Sequence, residues 1–405
     1  MLYLTKVFLD MSKILITGNG FDLFHHLPTK YGHFMAVMKT IEELNINDEF
    51  TFEDLFGGYF KNEYKKDYEN LKARIGDNQI LFSKERIQQI GILYNNVWFQ
   101  YFSKVGQIQT WIDFENEISF SLKIASKIIS SYDGSVQNFL KKDTHKGYLI
   151  LIYLKIIKEV DGSKFQIEDK YINDISGKVN SNDLFEYLIK QLKVFTKVFN
   201  TYLNDFVVRI MDFVEKKEIH FDNIDIVYTF NYTPTLERIY SFKGVINYVH
   251  GKVSNYNEDI NLVLGVDELE NEVKQAKAFF FLKNNQKILT GNNIPFIEEI
   301  SPNRSSYNEP IVYYFIGHSL DKSDKNYISK IFNSLGNDES KKCQIVIFYI
   351  DRDDFSSKLN NLFSYIDNDK LMCYFEEERL IFVQLNDKAL NSEFQKEIIG
   401  NEFKA

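Results

Sequence analysis

The run Lys13-Ile14-Leu15-Ile16-Thr17, followed at once by Gly18-Asn19-Gly20-Phe21-Asp22, constrains the fold most. A short apolar, β-favouring segment that ends in glycines reads as a buried parallel strand turning toward a helix. Leu27-Pro28-Thr29 then punctuates the chain, and Tyr31, Phe34, Met35, Met38 and Ile41 follow at helical spacing. Parallel strands need long crossover connections, so a chain that opens this way is expected to alternate strands with helices.

Further strand signals return only after about residue 223. Asp225–Asn231, Ile246–His250, Asn261–Val266, Ile311–Ile316, Gln344–Ile350 and Leu380–Leu385 are the candidates. Helical patterns lie between several of them, such as Tyr327, Ile328, Ile331, Phe332 and Leu335 on one face. Between about 45 and 220, apolar residues recur every three or four positions, as in Leu184, Tyr187, Leu188 and Leu192. The expected architecture is a Rossmann-like, mostly parallel α/β sheet split in sequence over 12–45 and 221–390. A mostly helical insertion over 46–220 interrupts it. The polar tail from 386 onward is expected to dock as a helix or to fray.

Charge and cysteine content narrow the function classes. With 48 Lys+Arg against 57 Asp+Glu, the net charge is -9. That argues against a general nucleic-acid binder, which needs a basic face to neutralise phosphates. The two cysteines, Cys343 and Cys373, fit neither a four-thiolate metal site nor a disulfide framework, and no metal is expected. No apolar run approaches the ~20 residues of a membrane span. Lys6, Asp10 and Lys13 interrupt the start as a secretory signal, and Met11 is a second candidate start. The expectation is a soluble cytoplasmic protein.

Chemistry is expected at the strand ends, because open α/β sheets bind ligands beyond the carboxyl ends of their strands. Gly18, Asn19, Gly20, Phe21 and Asp22 suit a phosphate approached by backbone N–H groups; a tight turn needing glycine reads the same way. Asn231, in Thr229-Phe230-Asn231-Tyr232-Thr233-Pro234, suits a ribose or a catalytic water, or else satisfies turn backbone. Thr233 is a candidate helix cap. His250, before Gly251, suits a general base or a structural role. Gly317 and Ser319, in Gly317-His318-Ser319-Leu320-Asp321, suit cofactor contacts or a turn, with Ser323 or Asp324 capping the next helix. Asp113 and Glu117, four residues apart on one helix face, together with Thr229 and Asp267, are candidates to line the same cleft. The alternative for the acidic pair is a solvated helix face.

Taken in order, Ile14 to Leu23, Leu27 to Tyr31, Trp111 to Glu115, Phe230 to Glu237, His250-Gly251 and Gly317 to Leu320 resemble the bacteriophage abortive-infection AbiH family. The likeness spans about residues 12 to 335. The layout is also similar to sirtuin-like NAD-binding domains. That resemblance implies that Gly18 and Gly20 approach the NAD phosphates and that Asn231 holds the nicotinamide ribose or positions water. It further implies that His250 is the base and that Gly317 and Ser319 contact the cofactor's far side. Protein-deacylating sirtuins carry a zinc ribbon of four Cys and a Gln before the Asn. This chain has two Cys, and Phe230 in the Gln position.

The expectation drawn from the resemblance is an antiphage effector that cleaves the nicotinamide–ribose bond of NAD, with the helical insertion gating the cleft or mediating homo-oligomer assembly. A second expectation is a sensor that binds NAD or ADP-ribose without turnover and engages a partner through its helices. Nucleic-acid processing is the third and is disfavoured by the charge. The phage or host trigger is not legible.

Overall fold

A computed structural model of the protein describes residues 12–44, 49–76, 78–105, 110–132, 135–140, 145–161, 164–255, 258–276, 278–291, 311–335 and 343–396. The interrupted start with Lys6, Asp10 and Met11, and the tail from 397, lie outside the described residues.

Six parallel strands form one sheet: β1 (Ser12–Thr17), β2 (Ile226–Thr229), β3 (Val245–Tyr248), β4 (Ile311–Ile316), β5 (Cys343–Tyr349) and β6 (Leu380–Gln384). Their spatial order is β6-β5-β4-β1-β2-β3. This is the doubly wound order, in which the chain builds outward on one side of β1 and then crosses over to build outward on the other. Its topological switch point lies between β1 and β4. Register ties both neighbours to the same strand, with Ile14 opposite Ile226 on one side and Tyr313 on the other.

Every residue of β1 is buried. The run carries apolar side chains toward both faces because helices cover both faces of a parallel sheet. On one face Ile14, Ile16, Phe315 and Ile345 join Ile328 and Ile331 from the helix Lys325–Ser334. Burying each such side chain stabilises the fold by about 1.5–3 kcal/mol before entropy is counted. The helix Asp387–Gln395 buries Leu390 and Phe394, and the Lys13 ammonium donates to the Phe394 and Lys396 carbonyls.

The chain divides into two compact units. The sheet unit comprises residues through Leu27, Met211–Lys252 and Asn293 onward; the second comprises Pro28–Ile210 and Val253–Asn292. The helix Tyr31–Glu43 therefore belongs to the second unit, as does a separate segment after Lys252.

Within the second unit the long helices are Tyr31–Glu43, Trp111–Ser131 and Ser181–Thr201. Aromatic rings hold its core. Phe34 meets Phe195, Phe199 and Tyr202 edge-on at 5.5, 5.4 and 5.3 Å, geometry that favours the ring quadrupoles. Two small antiparallel pairs, Glu49–Thr51 with Leu81–Ser83 and Ile157–Glu159 with Phe165–Ile167, interrupt the helices. Neither was expected from the helical periodicity.

The Asn261–Val266 strand expectation is corrected. Leu262, Val263 and Leu264 are buried, but among the described residues the β-pairing of the segment is an isolated bridge, Val266 to Leu282. Burial alone explains an apolar run, and a Cβ at Gly265 would lie 2.3 Å from the Phe281 carbonyl oxygen. The chain there is pressed against another backbone and forms no strand ladder among the described residues. Among the described residues no helix is long and apolar enough to cross a membrane.

Candidate functional site

At the switch point the β1 and β4 turns interlock. Gly18 N donates to the Ile316 carbonyl at 3.1 Å, and Gly20 N to that of Gly317 at 2.8 Å. Gly317 has φ +64°, and a Cβ there would lie 2.0 Å from Phe21 N. A Cβ at Gly20 would lie 2.7 Å from Gly317 Cα. These glycines are needed so that two backbones can touch. Phe21 N donates to the Gly18 carbonyl at 2.8 Å. The amides of residues 18, 20 and 21 are thus directed at the protein's own carbonyls, which differs from the phosphate cradle expected of this loop. Asn19 opens the six-residue helix Asn19–Phe24 and is half-buried. Ser319 is exposed, and its hydroxyl accepts from Asp321 N at 3.4 Å, a turn contact.

Two polar clusters stand beyond the strand ends of the sheet unit. The first surrounds Asp22, which is fully buried. Its carboxylate accepts from the Thr235 hydroxyl at 2.6 Å and from the Thr233 hydroxyl at 2.5 Å. Burial pushes the carboxyl up to about 6, and the hydroxyls of Thr233 and Thr235, with the nearby Asn231 side chain, oppose that rise. Thr233 therefore does not cap the helix Thr235–Tyr240, whose first turn has no side-chain cap; the buried carboxylate takes its hydroxyl. Thr229 ties the cluster to the sheet. Its hydroxyl accepts from Thr17 Oγ1 at 2.9 Å and from Asn231 N at 3.1 Å.

The second cluster centres on Asp324. His250 Nε2 lies 3.3 Å from its Oδ1, and His318 Nε2 lies 3.6 Å from its Oδ2. Leu320 N donates to His318 Nδ1 at 2.9 Å, so neutral His318 carries its proton on Nε2, toward the carboxylate. The Phe230 ring stands edge-on to His250, His318 and Tyr327, at 5.3, 4.5 and 5.4 Å. Asn231 and His250 are counterparts in register, because each lies two residues past the paired strand ends Thr229 and Tyr248. Both are buried.

Asp22, Thr229 and Asn231 are thus brought together, and His250 is joined by two residues that sequence reasoning left without a chemical role, His318 and Asp324. Asp324 was readable only as a helix cap; it precedes the helix Lys325–Ser334 but makes no side-chain cap bond. The remaining acidic candidates belong to the second unit. Asp113 forms a capping box with Thr110, accepting from Thr110 N at 3.0 Å. Glu117 accepts from the Tyr101 hydroxyl and from Lys146 Nζ at 2.6 Å. Asp267 lies 3.8 Å from Lys283 Nζ. Among the described residues no group of three or more His, Cys, Asp or Glu side chains is arranged to hold a metal ion.

A parallel sheet in the doubly wound order, with polar side chains gathered beyond its carboxyl ends, defines a Rossmann-like α/β protein. The family model described as bacteriophage abortive infection AbiH matches residues 14–349, and the chain belongs to that family. Its family role is therefore phage abortive infection. Comparison with curated proteins and with solved structures gave no match.

Proposed function

We propose that this protein acts in abortive infection by hydrolysing the nicotinamide–ribose bond of NAD. The observation that supports this reading most is the pairing, at the ends of adjacent strands, of a buried Asn231 with a histidine backed by a carboxylate. Asn231 Oδ1 is buried and has no hydrogen-bond partner among the described residues. A buried acceptor left open is costly unless a ligand or water completes it.

Cleavage of the N-glycosidic bond adds water across it, giving nicotinamide, ADP-ribose and a proton. The transition state has oxocarbenium character, so the site must orient the ribose and deliver water. Asn231 suits the first task or holds the water for the second. In this reading His250 is the base, and Asp324, 3.3 Å from its Nε2, stabilises the imidazolium that forms. The glycine amides of the β1 turn are already engaged, so phosphate contact in this reading falls to other groups, of which Asn19 is the nearest in sequence.

The test follows NAD loss and nicotinamide release by wild type, Asn231→Ala and His250→Ala, with NAD calorimetry on the same samples. Wild-type release reduced by about 100-fold or more in either variant is expected. Binding of NAD with no release at any protein concentration would favour a sensor without turnover. Absence of both would sink the NAD reading.

A further inference from the structure

The helical unit carries an apolar surface that the proposed reaction does not use. Single exposed apolar side chains are ordinary, whereas a contiguous group of them marks a contact. Four of the ten exposed large apolar side chains among the described residues, Phe279, Phe280, Ile288 and Leu289, fall within eleven consecutive positions. Ile288 is 65% exposed and Leu289 68%, on the helix Lys283–Thr290. That helix is held from its other side. The buried Lys283 ammonium lies 2.6 Å from the Glu115 carboxylate, and Gln286 Nε2 donates to the Leu264 carbonyl at 2.8 Å. An anchored helix thus turns two large apolar side chains to solvent.

A cavity of about 1090 Å³ opens beside them. Buried Phe185, Ile189 and Leu262 line its base, and exposed Phe279, Phe280 and Leu289 line its mouth. Phe185 and Ile189 belong to a stripe of the helix Ser181–Thr201 that continues at four-residue spacing through Lys193 and Lys197. Glu258 and Asp259, from a separate segment, also line the cavity, so both signs of charge border it. Lys190 on the same helix is matched by Glu186 at 2.6 Å. Lys193 and Asp259 form no ion pair among the described residues.

We propose that a second copy of this chain docks on this surface of the helical unit about a twofold axis. A twofold contact sets a patch against itself, so the patch must contain its own complement. This one does. Projecting Phe280, Ile288 and Leu289 stand next to a hollow with an apolar base, and Lys193 and Asp259 border that hollow on different elements. The twofold places the projecting residues of each copy in the hollow of the other, with Lys193 of each beside Asp259 of the other. A small anionic ligand is a poorer match, because the two carboxylates offset the lysines. The assembly is independent of NAD cleavage and stands or falls without it.

Analytical ultracentrifugation of the full chain over a wide range of protein concentration tests this, with circular dichroism to show that each variant is folded. Wild type is expected to dimerise. Leu289→Asp, at an exposed position, is expected to raise the dissociation constant by about 30-fold or more. Lys193→Glu and Asp259→Lys each set like charges across both halves of the contact, and each is expected to weaken self-association by about fivefold. Mixing those two variants restores opposite charges at both halves, so they are expected to form a heterodimer in preference to either homodimer. Repair within one chain cannot produce that preference. A wild type that is monomeric at every concentration overturns the proposal and leaves the surface to a different protein or a small amphipathic molecule. A dimer that Leu289→Asp leaves intact overturns it too, because the contact then lies elsewhere, and so does a mixture with no preference for the heterodimer.

Discussion

Asp22 in the sheet unit and Asp67 in the helical unit are the same residue type held in opposite ways. Asp22 is buried among two hydroxyls and an amide, and its carboxyl is pushed up to about 6. Asp67 retains about a third of its exposure (34%), and the His33 and Lys30 side chains bond to it at 3.0 and 2.9 Å. The His33 hydrogen bond, then that of Lys30, holds it well below the usual carboxylate range against the opposing effect of burial. His33 itself is pushed down by burial, ahead of the upward pull of Asp67. Asp67 is a carboxylate used as a brace between neighbouring elements. Asp22 is a carboxylate kept without a cationic bonding partner, an arrangement that costs stability and suits a site.

The largest effect is expected from breaking the backbone that carries Asp22. Gly317→Ala forces a Cβ against Phe21 N in a left-handed conformation, and chemical denaturation should show a loss of about 3 kcal/mol or more. A loss under about 1 kcal/mol would mean that the two turns separate easily, and the rigid-site half of the comparison would fall.

The pH dependence sharpens the contrast between the two carboxylates. For Asp22 the folded value is raised from 3.8 to about 6, so the folded chain holds the proton more tightly than the unfolded chain. Its contribution to stability is greatest below the unfolded value and declines as pH rises through the folded one, by an amount on the order of 3 kcal/mol. For Asp67 the folded value is depressed, so its stabilisation is present above the unfolded value and is lost as pH falls toward the folded one. Asp67→Asn should therefore cost about 1 kcal/mol near neutrality, after allowance for solvent screening, and progressively less in acid. Asp22→Asn should remove the decline between about pH 4 and 6. Denaturation of wild type and both variants from acid to neutral pH checks the pair, and like-signed differences would break the comparison.

The smallest effect concerns the acidic pair of the helical unit. Asp113→Ala removes one arm of the capping box with Thr110 and should cost about 1 kcal/mol, while NAD turnover stays within about twofold of wild type. A larger drop in turnover at unchanged stability would give Asp113 the cleft role that the sequence spacing suggested.

Local order was the part of this fold that could be read from the chain. The β1 run and its glycine turn, the strand ends carrying Asn231 and His250, and the long helix over 181–201 all announce themselves through spacing within a few residues. What escaped depends on partners far away in sequence. Thr233 looks like a cap until Asp22, 211 residues earlier, claims its hydroxyl. Asp324 looks like a cap until His250, 74 residues earlier, comes within reach. The Asn261–Val266 run has the composition of a strand, and no neighbouring residue reveals that a backbone contact replaces a ladder there. Pattern reports which side chains will be buried; it does not report what they will meet.

The doubly wound order also sets a timetable for synthesis. Ile14 pairs with Ile226 on one side and with Tyr313 on the other. At about 5–20 residues per second, roughly 10–40 seconds of translation separate β1 from the first strand that can pair with it, and longer from the second. Throughout that interval an entirely apolar-cored segment emerges with neither edge satisfied, while the helical unit's first segment, 28–210, is completed behind it. A nascent chain of this kind is exposed to premature association at its amino-terminal strand. Its yield in a cell under translational stress would then depend on how well that one strand is sheltered until its neighbours are made.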